Sequence, residues 1–217
     1  AKGIYVPIRK ANDLNLITTF NKENAFVLRR NINYYGGFEG NETSEEQRDL
    51  NNPNNETILS GDFLQNDSVT FNSNGILTLL NNSENAYHTV IISNLTNVIF
   101  DGFTIKGGNA SGSGKINVNN IEIQKNDGGG LAIYYSNKLK IKNLKIKNNL
   151  TSNMGGGIFL IKTSNSNFSN VIVQKNKATY GGGIFSYSCN NNYYDYCSIS
   201  SNNSIGEGGG ISAKGGN

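Results

Sequence analysis

A four-residue run, Gly128-Gly129-Gly130-Leu131, constrains this chain more than any other feature, because it returns three times. The returns are Gly155-Gly156-Gly157-Ile158, Gly181-Gly182-Gly183-Ile184 and Gly208-Gly209-Gly210-Ile211, at intervals of 27, 26 and 27 residues. A period held to within one residue marks a repeat architecture, in which each unit buries its apolar side against its neighbours.

The residues between the glycine runs repeat as well. Leu144, Val171 and Cys197 occupy one position of the period, with Ile146, Val173 and Ile199 two residues further on. Ile121 and Ile123, ahead of Asn126, read as an earlier copy of the same pattern. Apolar residues at every second position face one side of a strand, so Leu131, Ile158, Ile184 and Ile211 form another inward column. Asn149, Asn176 and Asn202 recur at one corner, where stacked amides can bond along the axis. Gly128, Gly155, Gly181 and Gly208 open another corner, which needs backbone freedom or close approach. Each period is therefore expected to be one coil of a β-solenoid.

One such body needs no second core, even at 217 residues. Residues 1–55 are expected to form less regular N-terminal coils, with an irregular excursion after Asn12 and a polar loop at 41–55 thrown out from the wall. The Thr-Ser-Glu-Glu pattern at its start could cap a short helix. Residues 56–217 continue the same solenoid, with strands at 57–62, 76–80 and 87–92. The sequence holds 39 asparagines and 26 glycines, an excess that belongs in turns. The net charge of +3 is too small for a chain kept disordered by self-repulsion.

Cys189 and Cys197 have no CxxC spacing and His88 is the single histidine, which excludes a zinc site. Two unpaired thiols, at least one in the core, are expected. No apolar run reaches the ~18 residues of a membrane-spanning helix, and no signal segment opens the chain. The glycine runs match neither nucleotide-loop pattern. Lysines alternating with apolar residues from Lys138 and Lys140 onward read as a solvated outer face, so no nucleic-acid partner is expected.

The GGG[LI] recurrence with aligned Asn corners resembles right-handed parallel β-helix proteins, in particular GGxI-repeat surface proteins of the polymorphic outer-membrane type. The run Tyr35-Gly36-Gly37-Phe38-Glu39-Gly40, then Arg48-Asp49, Thr57 through Asp62, Tyr87-His88 and Asp101-Gly102-Phe103 is similar to the N-terminal part of secreted Bacteroidota β-helix proteins. The resemblance implies an all-β, right-handed parallel β-helix of about 26–27 residues per coil. It also implies a secreted or cell-surface protein whose export signal is absent from this chain. The chain stops seven residues past the last glycine run, in mid-coil, so a fragment or an open end that pairs with another copy is expected.

Two classes of function follow. An extracellular structural or adhesive solenoid without catalysis, self-assembling head to tail or binding glycans, suits the polar outer wall. Tyr134 and Tyr135 could offer stacking platforms, with Lys138 and Lys140 nearby. The alternative is a polysaccharide-binding or polysaccharide-degrading β-helix, a lyase or glycoside hydrolase. Asp62, His88 and Asp101 are its acid and base candidates, each with a turn or strand explanation of its own. Asp127 and Glu207 sit about three coils, or ~14 Å, apart, beyond the usual span of paired catalytic carboxylates. No metal and no cofactor are expected.

Overall fold

The structure, a computed structural model, describes residues 1–216 and is all-β. Among the described residues, four sheets are parallel and three are two-stranded antiparallel hairpins. The chain visits the parallel sheets in a fixed rotation. From Leu131–Tyr134 in a six-stranded sheet it passes to Lys140–Lys142 in a five-stranded one, then to Lys145–Lys147 in a second six-stranded sheet. The short strand Leu150–Thr151 follows in a four-stranded sheet, and Ile158–Ile161 then returns to the starting sheet one strand further on.

The register carries the repeat. Leu131 pairs with Ile158, Ile158 with Ile184, and Ile184 with Ile211, at separations of 27, 26 and 27 residues. Residues 1–55 join the same sheets, since Gly3 pairs with Thr57, Phe26 with Val90, and Tyr34 with Phe100.

One face of the longer parallel strands builds the core. Val90, Ile92, Leu131, Ile133, Ile158 and Leu160 pack with Ile146, Val173 and Phe168 into a single apolar cluster. Cys189 and Cys197 are unbonded and pack against its edge.

The asparagine corner is a hydrogen-bonded ladder. Asn149 donates to Asn176 Oδ1 from both its backbone N–H and its Nδ2, each at 3.0 Å. Asn176 repeats both bonds to Asn202 Oδ1 at 3.0 Å. At the glycine corner, Gly155 has a φ of +70°, a left-handed value that costs other residues strain. A Cβ on Gly156 would lie 2.5 Å from the carbonyl oxygen of Lys177 in the next repeat. Further single left-handed residues recur in register: Asn94, Tyr135, Lys162 and Ser188 at one corner, Asn97, Lys138, Asn165 and Asn191 at the next. Asparagine tolerates this region better than other non-glycine residues, and among the described residues 11 of the chain's 39 asparagines occupy it.

Three hairpins depart from the sequence expectation, two of them where an alternating strand was expected to join the parallel sheets. Ile121 and Ile123 do not copy the inward pattern: they lie in Ile121–Gln124, which pairs antiparallel with Lys115–Val118. Leu77–Leu80 pairs likewise with Ser68–Phe71, and Arg9–Lys10 with Asp13–Ile17 in the stretch read as irregular. Alternating strands suit a hairpin as well as a parallel sheet, and only the pairing partner distinguishes them.

All three hairpins leave from the same side of the rotation, just before a strand of the Leu131-containing sheet. The 41–55 loop leaves from another side, before Thr57–Ser60, and is strapped down rather than thrown out. It holds two 3₁₀ turns, Glu45–Gln47 and Pro53–Asn55, and the Ser44 side chain makes no cap at the first. Arg48 reaches back to Asp101 at 3.1 Å and lies over the rings of Tyr35 and Phe38.

Candidate functional site

The sheet containing Leu131–Tyr134 is apolar on both faces, because its strands read as nearly continuous hydrophobic runs such as Ile158-Phe159-Leu160-Ile161. Its outward residues Ile91, Ala132, Phe159 and Phe185 form a second cluster, covered in part by Ile116, Val118 and Ile123 of the Lys115–Gln124 hairpin. Beside that hairpin lies a cleft of about 470 Å³. Lys115, Glu122, Gln124, Asp127, Tyr135 and Ile161 are among its walls.

Tyr134 and Tyr135 both line the cleft but differ in exposure. Tyr134 is 2% exposed, so it is core rather than an outer platform; strand alternation turns it under the hairpin. Its hydroxyl accepts from the Gln124 N–H at 3.4 Å, and burial raises its ionisation above the ordinary tyrosine range. Tyr135 is 43% exposed, at one of the left-handed corners. The Lys162 ammonium sits 5.2 Å from its ring centroid.

Asp127 accepts from Asn153 Nδ2 at 2.8 Å and from the Met154 N–H at 3.1 Å. Burial pushes its carboxyl up to about 6 in spite of those bonds. Glu122 is paired with Lys115 across the hairpin at 2.5 Å, in the open. An exposed aromatic ring beside carboxyl and amide groups suits a hydroxyl-rich ligand. Lys138 and Lys140 are exposed but lie outside the cleft walls.

The three acid and base candidates have separate surroundings. Asp101 is bound by Arg48 at 3.1 Å, Lys142 at 3.5 Å and Asn143 Nδ2 at 2.7 Å. His88 is buried, with Nδ1 2.9 Å from the Gly128 carbonyl, which fixes the Nδ1–H tautomer because a carbonyl only accepts. Its Nε2 is buried without a partner, and burial drives its pKa down to about 4. Asp62 is buried and accepts from the N–H groups of Asn66 and Asp67 at 3.3 and 3.1 Å. The geometry shows no shared partner that would make a catalytic trio of them.

Asp62 instead meets Asp67 and Glu84, with one carboxylate oxygen from each within 4.8 Å of the others. Asp67 is pushed up to about 7, chiefly by burial, with repulsion from Asp62 and Glu84 adding to it. Neither Asp67 nor Glu84 stands out in sequence, since the hairpin between them hides their proximity.

A second, smaller cleft of about 270 Å³ runs between the 41–55 loop and the Lys145–Lys147 sheet, past Asp49, Asn52, Asn143 and Asn170. Asn170 Nδ2 donates to Asn143 Oδ1 at 2.7 Å along its floor.

Comparison with known proteins finds that no protein-family model, curated protein or solved structure matches this chain.

Proposed function

We propose that the chain is an adhesive module of a secreted or cell-surface protein, without catalytic activity, whose cleft beside the Lys115–Gln124 hairpin takes carbohydrate. Its rotation through parallel sheets is read as the coils of a right-handed parallel β-helix, the hand that connections between parallel strands adopt almost without exception. The surface location rests on the likeness of the glycine repeat to surface proteins.

The observation that carries the reading is Tyr135, half-exposed at the cleft wall beside Asp127, Gln124 and Lys115. A rigid ring beside such groups offers stacking and hydrogen bonds to a sugar at little entropic cost. Hydrolysis is the weaker reading of the same cleft. Asp127 is buried and bound by Asn153 and Met154, while Glu122 is held by Lys115.

A glycan array probed with the 217-residue chain, followed by calorimetry on the best oligosaccharide, tests the proposal. Binding that Tyr135→Ala abolishes, with an unchanged circular dichroism spectrum, supports it. A blank array with the fold intact ends it, and release of reducing ends from a bound polysaccharide would move the assignment to an enzyme.

A second reading is head-to-tail self-association, in which the in-register parallel pairing of the sheets continues into a second copy. Such a contact would be heterologous and would propagate. Sedimentation that stays monomeric as concentration rises rejects it.

A further inference from the structure

We propose that Asp62, Asp67, Glu84 and Asn85 form a binding site for a hard divalent cation, calcium in preference to magnesium, that ties both roots of the Ser68–Leu80 hairpin to the body of the protein. The position of the four residues makes this geometry possible. Asp62 follows the strand Thr57–Ser60, Asp67 immediately precedes the hairpin's first strand, and Glu84 and Asn85 lie just past its second.

Charge is the first argument. Three carboxylates contribute oxygens that all lie within 4.8 Å of one another, and among the described residues none of the three forms an ion pair with Lys or Arg. Asp101, buried as deeply as Asp62, is matched by two cations. Like charges gathered in a partly buried place repel, and either a counter-ion among them or a proton on one of them relieves the repulsion.

Asn85 supplies an independent observation. It is 0% exposed, and its carboxamide faces Asp67, with Nδ2 at 3.1 and 2.9 Å from the two carboxylate oxygens. Its Oδ1 has no hydrogen-bond partner, and neither does the buried Oε1 of Glu84. Buried polar atoms left unpaired are costly, so native structures rarely keep them. A half-turn of the Asn85 carboxamide presents its oxygen to the carboxylate cluster instead. The site then offers four oxygen donors, three of them anionic, and no nitrogen or sulfur, which is the ligand set of a hard cation.

Ligand character favours calcium. Calcium accepts about six to eight oxygens in a flexible geometry, whereas magnesium demands a near-ideal octahedron and keeps several of its waters.

The test is calorimetric titration of the chelator-treated 217-residue chain with CaCl₂ and, separately, MgCl₂, alongside thermal melts. A calcium dissociation constant on the order of 10⁻⁴ M is expected. Calcium at about 100-fold excess over that constant should raise Tm by about 5–10 °C, reversibly with EDTA. Asp67→Asn and Glu84→Gln should each weaken calcium binding by about tenfold or more, while Glu207→Gln, remote and exposed, should leave it unchanged. Should Asp67→Asn fail to fold, Glu84→Gln carries the test, since Glu84 is only half-buried. In the unmodified protein, calcium should also slow proteolytic cutting within residues 68–80. No heat and no Tm shift with either metal overturns the site. Equal affinity for magnesium overturns the calcium assignment, and an undiminished response in both variants overturns the choice of ligands.

Discussion

The guanidinium of Arg48 lies 3.1 Å from the carboxylate of Asp101, 53 residues away in sequence, and the two side chains are only 10% and 2% exposed. Arg48 also donates to the Gly36 carbonyl at 3.0 Å, so one side chain fastens the 41–55 loop to the wall.

Removing Arg48 should therefore cost more than losing a surface ion pair. Arg48→Met leaves Asp101 buried with only half-exposed Lys142 as a cation, and a loss of about 3 kcal/mol is expected in urea unfolding. Arg48→Met combined with Asp101→Asn should lose less than the sum of the two single changes, because the stranded charge is gone.

Asn176 stands in the middle of the amide ladder. Asn176→Ala orphans the backbone N–H of buried Asn149, takes one of three acceptors from its Nδ2 and removes the donor to the Ile146 carbonyl, and should destabilise by about 2–4 kcal/mol. Asn202, half-buried, is also the acceptor for one neighbour, yet water reaches its corner, so Asn202→Ala should cost about 1–2 kcal/mol. Denaturant midpoints for the two variants check the ranking.

His88 titrates in the direction that makes acid unfavourable. Its folded pKa, down to about 4, lies below the ordinary 6.5. The unfolded chain then binds the extra proton first, so the contribution is fully present above about 6.5 and is lost as pH falls towards 4. Over that window it should amount to about 2–3 kcal/mol. Because buried carboxyls shift the other way, the measurement is the difference in unfolding free energy between the protein and His88→Gln at pH 7 and pH 5.

Asp127 shows that opposite sign. With its folded pKa raised to about 6, its ionised form is penalised in the folded state at neutral pH. Asp127→Asn keeps an oxygen for Asn153 and Met154 while removing the charge, so it should stabilise by about 1–2 kcal/mol at pH 7. The advantage should shrink as pH falls through 6 and vanish below about 3.8, which paired melts across that range would show.

The inward columns and the asparagine corner were legible because identical residues recur at a fixed spacing, and stacking in register is the only arrangement that uses them all. The hairpins were not, since Ile121 and Ile123 alternate as a parallel strand would and nothing local names their antiparallel partner Lys115–Val118. Tyr134 was misplaced for a related reason: the outer face of its strand is covered, a condition signalled by the unbroken run Leu131-Ala132-Ile133-Tyr134. Of the acidic cluster, Asp62 stood out as an acid candidate, but Asp67 and Glu84 approach it only through the fold of the segment between them. Arg48 looked like one more polar loop residue, because its partner comes from a different repeat.

The seam from which the hairpins depart separates chain length from pitch. Ala110 pairs with Thr151 and Asp127 bridges to Met154, yet 16 residues lie between the first two and only two between their partners. Leu131 still lands opposite Ile158. The spacing along the axis is therefore metered by sheet pairing alone, and the seam acts as a socket: sequence can be spliced in or trimmed there, lengthening the chain without lengthening the protein.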